Sequence, residues 1–193
     1  MHVATNIMKA SFIADRPSLV RAMSEGFRPA FRFFYGHHAR VTDGVDDAVF
    51  SQWADASFEV DGIEYATAEH WMMAEKARLF GDAETLEKIL AAASPAEAKA
   101  LGRIVRGFDD NVWRAKRVEI VTNGNVHKFG CDAARKAYLL ATGNEVLVEA
   151  APRDVIWGIG LGRENPAARD PARWRGQNLL GFALMAARSR IGA

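Results

Sequence analysis

SFEVDGIEYATAEHWMMAEK, residues 57–76, is the stretch from which the rest of the chain can be read. Phe58 and Val60 precede Asp61-Gly62, and Ile63 and Tyr65 follow it. Asp-Gly between β-favouring residues specifies a two-residue type I′ turn, because both central positions need positive φ. Strands are therefore predicted over 57–60 and 63–66. Thr67 then offers a side-chain oxygen to the opening amides of a helix. The segment that follows, AEHWMMAEKARLF (68–80), has no Gly, Pro or β-branched residue to weaken it.

Downstream, Gly81-Asp82 ends this helix and caps the next, AETLEKILAAA. Ser94-Pro95-Ala96-Glu97 reads as a capping box with Pro at the first helical position, opening a helix through Val105. Asp109 or Asp110 caps a long helix across Trp113 to about Phe129, with a weak point at Asn123-Gly124-Asn125 where a break is expected. CDAARKAYLLATG closes on Gly143 as a helix terminator. EVLVEA (145–150) alternates as a strand, Pro152 to Gly176 reads as a long loop, and a last helix covers about Gln177 to Arg190. Upstream, Phe31 to Tyr35 (FRFFY) reads as a short strand, Gly36 to Ala48 as a loop, and residues 1–30 as an arm or short helical preface. The predicted fold class is α+β, mainly helical, with a small β element.

The 193 residues carry 25 basic and 24 acidic side chains for a net charge of +1, and 49% of them are hydrophobic. That length suits one domain with a proper core. The balanced charge gives no general electrostatic reason to grip nucleic acid or an anionic membrane. A single cysteine, Cys131, excludes an intramolecular disulfide framework and a multi-cysteine zinc site. No apolar run approaches the roughly 20 residues of a membrane span, and the N-terminus shows no secretory pattern, so the cytoplasm is the expected location.

Glu69 and Lys76 are the first candidates for chemistry. Seven residues apart on one predicted helix, they share a face. Glu69 lies in the first turn, where the helix dipole favours a carboxylate, and a lysine of lowered pKa can form an imine with an aldehyde. Two solvated surface charges are the plainer reading of that spacing. His70 has no second histidine at zinc-ligand spacing, and no metal or other cofactor is expected. Gly158-Ile159-Gly160-Leu161-Gly162 resembles a dinucleotide fingerprint but precedes Arg163-Glu164-Asn165-Pro166, which cannot continue a helix. The choice there is between a tight turn and a phosphate-approaching loop. Trp113 and Trp157 are candidate stacking surfaces for a base, with the core as the alternative. Arg103, Arg106, Arg114, Arg117 and Lys128 are candidate phosphate ligands, with a solvated charged face as the simpler reading of each.

Taken together, these pieces resemble the NADAR (NAD and ADP-ribose) superfamily, the YbiA-like family, from about Phe33 to the C-terminus. The resemblance is carried by FFY (33–35), FSQW (50–53), DGIEYATAEHWMMAEK (61–76), AKALGR (98–103), and Trp113 followed by Lys128-Phe129. TGNEVLVEAAPRDVIWGIGLG (142–162) and NLLGFALMAAR (178–188) complete it. Gln52, Trp53 and Trp71 depart from the family's usual Asn, Phe and Tyr. The resemblance implies a compact, YbiA-like single domain over 31–193 behind an extension over 1–30.

It also implies cleavage of an N-glycosidic bond beside a phosphorylated sugar. The substrate would be a phosphoribosylamino-pyrimidine intermediate of riboflavin synthesis or ADP-ribose on guanine; no membrane partner is expected, and the balanced charge gives no strong sign of stable nucleic-acid binding. By the same resemblance, Glu69 is the catalytic glutamate, Lys76 a helix lysine that is a candidate for covalent participation, and Asp154 a further catalytic position. Trp113 and Trp157 take further active-site positions by the resemblance; Phe34 and Tyr35 of the opening aromatic motif are expected against substrate, and Arg103 with the amides of the Gly158 and Gly160 loop is the expected hold on the phosphate. The competing reading is a non-catalytic domain that binds NAD-like or ADP-ribose ligands.

Overall fold

The structure, a computed structural model, describes residues 13–193. The first part of the predicted arm lies outside the described residues. The chain divides into two units, the one outer in sequence running up to Tyr35 and resuming at Tyr138–Ala193, the one inner in sequence formed by Gly36–Ala137.

In the inner unit the hairpin forms as read. Strands β2 (Phe58–Val60) and β3 (Ile63–Tyr65) pair antiparallel, with Asp61 at φ 52° and Gly62 at φ 78°. The hairpin leads into α2 (Ala68–Leu79), whose N-cap Thr67 accepts from the His70 amide. His70 stays in the core because its Nε2 meets Ala92 O (3.1 Å) and its Nδ1 meets Thr67 Oγ1 (2.8 Å). Its two polar atoms are thus spent on structure. Asp82 caps α3 (Ala83–Leu90), and Ser94 caps α4 (Pro95–Gly102). The predicted helix through Val105 stops three residues early. Gly102 abuts the Met73 side chain, and Asp82 draws the next turn away by accepting from both the Arg106 amide (2.8 Å) and its guanidinium.

Helix α5 (Asp110–Gly130) is continuous through the expected break. Gly124 is there for packing. A Cβ on it would overlap the Trp71 indole, whose Nε1 donates to Ile120 O (2.9 Å). Asn125 turns its amide back to Val121 O (2.8 Å) and accepts from Gln52 Nε2 (3.3 Å). Gly124→Ala should therefore destabilise by about 1–3 kcal/mol through overpacking, although alanine is the better helix former. Urea unfolding checks this; a gain in stability would mean the seam between α2 and α5 is loose.

In the outer unit, α1 (Arg16–Ser24) opens on an Asp15 capping box. Strand β1 (Phe31–Phe34) pairs in parallel with β4 (Val146–Glu149), Phe31 opposite Val146. Helix α6 (Ala133–Ala141) leads in from the inner unit, and α7 (Leu179–Gly192) packs on β4. Asn178, at φ 56°, completes the strand. Its Nδ2 donates to Leu147 O and its Oδ1 accepts from Glu149 N–H, both at 2.9 Å. An asparagine side chain thereby stands in for a neighbouring strand, at a backbone angle asparagine tolerates better than most residues. Short 3-10 turns at Pro166–Arg169 and Pro171–Arg173 give local order to the loop predicted over 152–176. The fold is α+β and mainly helical, and among the described residues no helix is long and apolar enough to cross a membrane.

Candidate functional site

Helix α2 carries both predicted reacting groups. Glu69 stands in its first turn and is buried, 2% exposed. Its backbone N–H donates to Gln52 O (2.9 Å), which pins the start of the helix to the segment 50–53. Lys76 lies two turns on, about 10 Å along the axis. The amine donates to Gly102 O (2.6 Å) and sits over the rings of Phe108 (4.1 Å to the centroid) and Trp113 (5.7 Å). Burial lowers the Lys76 pKa below the ordinary lysine value. The two aromatic faces act in the opposite sense, favouring the cation.

Phe108 is the residue that the sequence reading missed. It precedes the N-cap of α5 and is 44% exposed, yet it packs edge-on to Phe80 (5.3 Å) and lies against the Lys76 amine. A large apolar residue just before a helix N-cap was the available signal. Trp113 is 9% exposed, so its face toward Lys76 belongs to a largely closed wall.

The basic candidates separate by environment. Arg103 is exposed after α4, Arg106 is held by Asp82 and Glu84, and Arg114 is paired with Asp110 (2.7 Å). Arg117 and Lys128 point inward, with 9% and 0% exposure. Lys128 Nζ donates to the carbonyls of Val49 and Ser51, on either side of Phe50. Trp71, one of the family departures, is wedged into the seam between α2 and α5. Gln52, another, is buried and tied to Asn125, while Trp53 lies beside His37 (5.6 Å) with Lys99 over its ring. A cavity of about 730 Å³ in the same unit, lined in part by His37, Asp46, Ser57 and Arg135, includes no residue of α2.

In the outer unit, Phe34 is 1% exposed and belongs to the core, whereas Tyr35 is 53% exposed. Asp154 shapes its own loop. Its Oδ1 accepts from the amides of Ile156 and Trp157 (2.8 Å each), leaving Trp157 half-buried. The glycine-rich stretch is a tight turn packed against β4. Ile159 N–H donates to Glu149 O and Gly160 N–H to Asp154 O, both at 2.9 Å. A Cβ on Gly158 would come within 2.9 Å of the Ala151 Cβ. The amides of Ile159 and Gly160 are thus engaged internally, as in a tight turn.

A model of the NADAR domain matches residues 33–192. The N-glycosidase R617 of Acanthamoeba polyphaga mimivirus is 42% identical over 158 residues, covering 79% of this chain and 91% of the viral protein. The N-glycosidase YbiA of Escherichia coli is 30% identical over 142 residues, covering 74% and 80%. The NMR structure of YbiA superposes with a TM-score of 0.67 at 28% identity and 86% coverage of both chains. With the matched domain spanning most of the sequence, and the fold shared with a solved relative, this chain belongs to the NADAR domain family.

Proposed function

We propose that the protein is an N-glycosidase that hydrolyses the C1′–N bond of a phosphorylated ribosyl-base compound. The observation that carries this reading is on α2, where a buried carboxylate and, two turns away, a desolvated amine walled by Phe108 and Trp113 share one helix. The names of the viral and bacterial relatives, both N-glycosidases, support the reaction class. The substrate classes in view are a phosphoribosylamino-pyrimidine of riboflavin synthesis and ADP-ribose on guanine.

As the C1′–N bond weakens, positive charge develops on the sugar, and the Glu69 carboxylate stabilises it or moves the proton. The base leaves with the bonding pair and gains a proton, and water supplies both that proton and the hydroxyl that ends on C1′. Where the base is attached through an amino nitrogen, Lys76 offers a covalent route. The sugar ring opens to an imine, the Lys76 amine adds at C1′ and expels the base as its free amine, and water hydrolyses the lysyl imine. A neutral amine is required, which desolvation favours. Asp154 and Trp157 are carried as candidates by the family motif alone. Each is tested by its own substitution.

The test is base release from both substrate classes with the purified protein, together with borohydride treatment during turnover. Release from one class and a sugar-derived mass increment on Lys76 are expected. Release without the increment removes the covalent route. Tight binding with no release from either class replaces the enzyme by a ligand-binding domain.

A further inference from the structure

Arg117 is a buried cation that the chemistry above does not use. It lies one turn after Trp113 on the inward face of α5, about 6 Å further along the axis. It is 9% exposed, and its Nε has no hydrogen-bond partner among the described residues. The acid that could pair with it from two turns back, Asp110, is held by Arg114 at 2.7 Å. A guanidinium withdrawn from water with only a carboxylate already engaged by another arginine nearby is costly, and a native fold retains such a group where something else neutralises it.

Resting on the N-glycosidase reading, we propose that Arg117 is the residue that grips the phosphate of the phosphorylated sugar. The other candidates are less suited. Arg106 and Arg114 are engaged by carboxylates, Arg103 is exposed, and the amides of Ile159 and Gly160 already donate to Glu149 O and Asp154 O. Geometry supports the choice. Trp113 lies beside the Lys76 amine at one end and one turn from Arg117 at the other, and a pentose 5-phosphate likewise presents C1′ and phosphate at opposite ends. Guanidinium also matches phosphate oxygens with two parallel donors. Burial, and then the charge of Arg114, lower the Arg117 pKa, a strain that a bound dianion would relieve.

Calorimetry with ribose 5-phosphate, ADP-ribose and unphosphorylated ribose tests this on the wild type, Arg117→Met and Arg117→Gln. The second variant is included so that a folded protein is in hand. The wild type should bind a phosphorylated probe in preference to ribose. The variants should lose about 10–100-fold of that affinity with ribose binding unchanged and without a lower Tm, since a buried unpaired charge is being removed. A loss confined to ADP-ribose identifies a diphosphate as the anion gripped, and a loss for ribose 5-phosphate identifies the monoester. Unchanged affinity for both in a folded variant, or no preference for phosphorylated probes in the wild type, overturns the assignment. So does a failure of both variants to fold, which makes the guanidinium structural. Because binding is read without turnover, a protein that grips the phosphate but releases no base refutes the proposed reaction and leaves Arg117 standing.

Discussion

Glu69→Gln lowers the rate of base release by about 10²–10⁴-fold, the range removed with a single general acid–base group, while ribose 5-phosphate binding changes little. The carboxamide keeps the shape of the side chain and the helix that carries it, since Thr67 still caps α2 and the residue 69 amide still donates to Gln52 O. What is lost is the negative charge and the basic oxygen. At 2% exposure no bulk water is at hand to substitute for either. Single-turnover kinetics on the preferred substrate separates the chemical step from binding. A Glu69→Gln protein with wild-type turnover would end the mechanism proposed for α2.

Lys128 governs the second expected result, which concerns stability. The amine is fully buried, and its pKa falls from the ordinary 10.5 to about 7, chiefly because burial penalises the charge and secondarily because Arg135 is near. A neutral amine has two N–H donors, and two carbonyls, those of Val49 and Ser51, receive them. Above about pH 7 the folded protein has released a proton that the unfolded chain holds until near pH 10. The unfolded state therefore binds more protons across that interval, and the contribution of this site to stability rises with pH, by up to about 1.4 kcal/mol per pH unit. Lys128→Met abolishes the titration and leaves the two carbonyls unpaired. Urea unfolding of both proteins from pH 6 to pH 10 should show the wild type gaining on the variant by several kcal/mol as pH rises. A constant difference would mean that the folded protein keeps the amine charged.

The local parts of the molecule were legible in the sequence for physical reasons. Asp61-Gly62 meets a backbone demand that few pairs satisfy, and Thr67, Asp82, Ser94 and Asp109 each cap the helix that follows them. The placement of Glu69 and Lys76 on one helix followed from the Thr67 cap and an unbroken segment of helix-forming residues behind it. The misjudged features depend on distant residues. The extra turn expected to Val105 was cancelled by Met73 and Asp82, and the break expected at Asn123-Gly124-Asn125 was prevented by Trp71 and Gln52. The parallel pairing of β1 with β4 had no local signal, because neither strand contains information about the other. Arg117 and Lys128 read as solvated charge. Their helical phase with Trp113, Val121 and Gly124 was the overlooked clue that they face inward.

The same long-range strand pair governs how the chain is born. Phe31–Phe34 leaves the ribosome early but gains its neighbour only when Val146–Glu149 has been synthesised. Gly36–Ala137, a compact unit by itself, can settle first. A nascent protein therefore spends much of its synthesis with an aromatic, unmatched edge, and chaperone occupancy during translation should peak over that segment and fall once the second strand emerges.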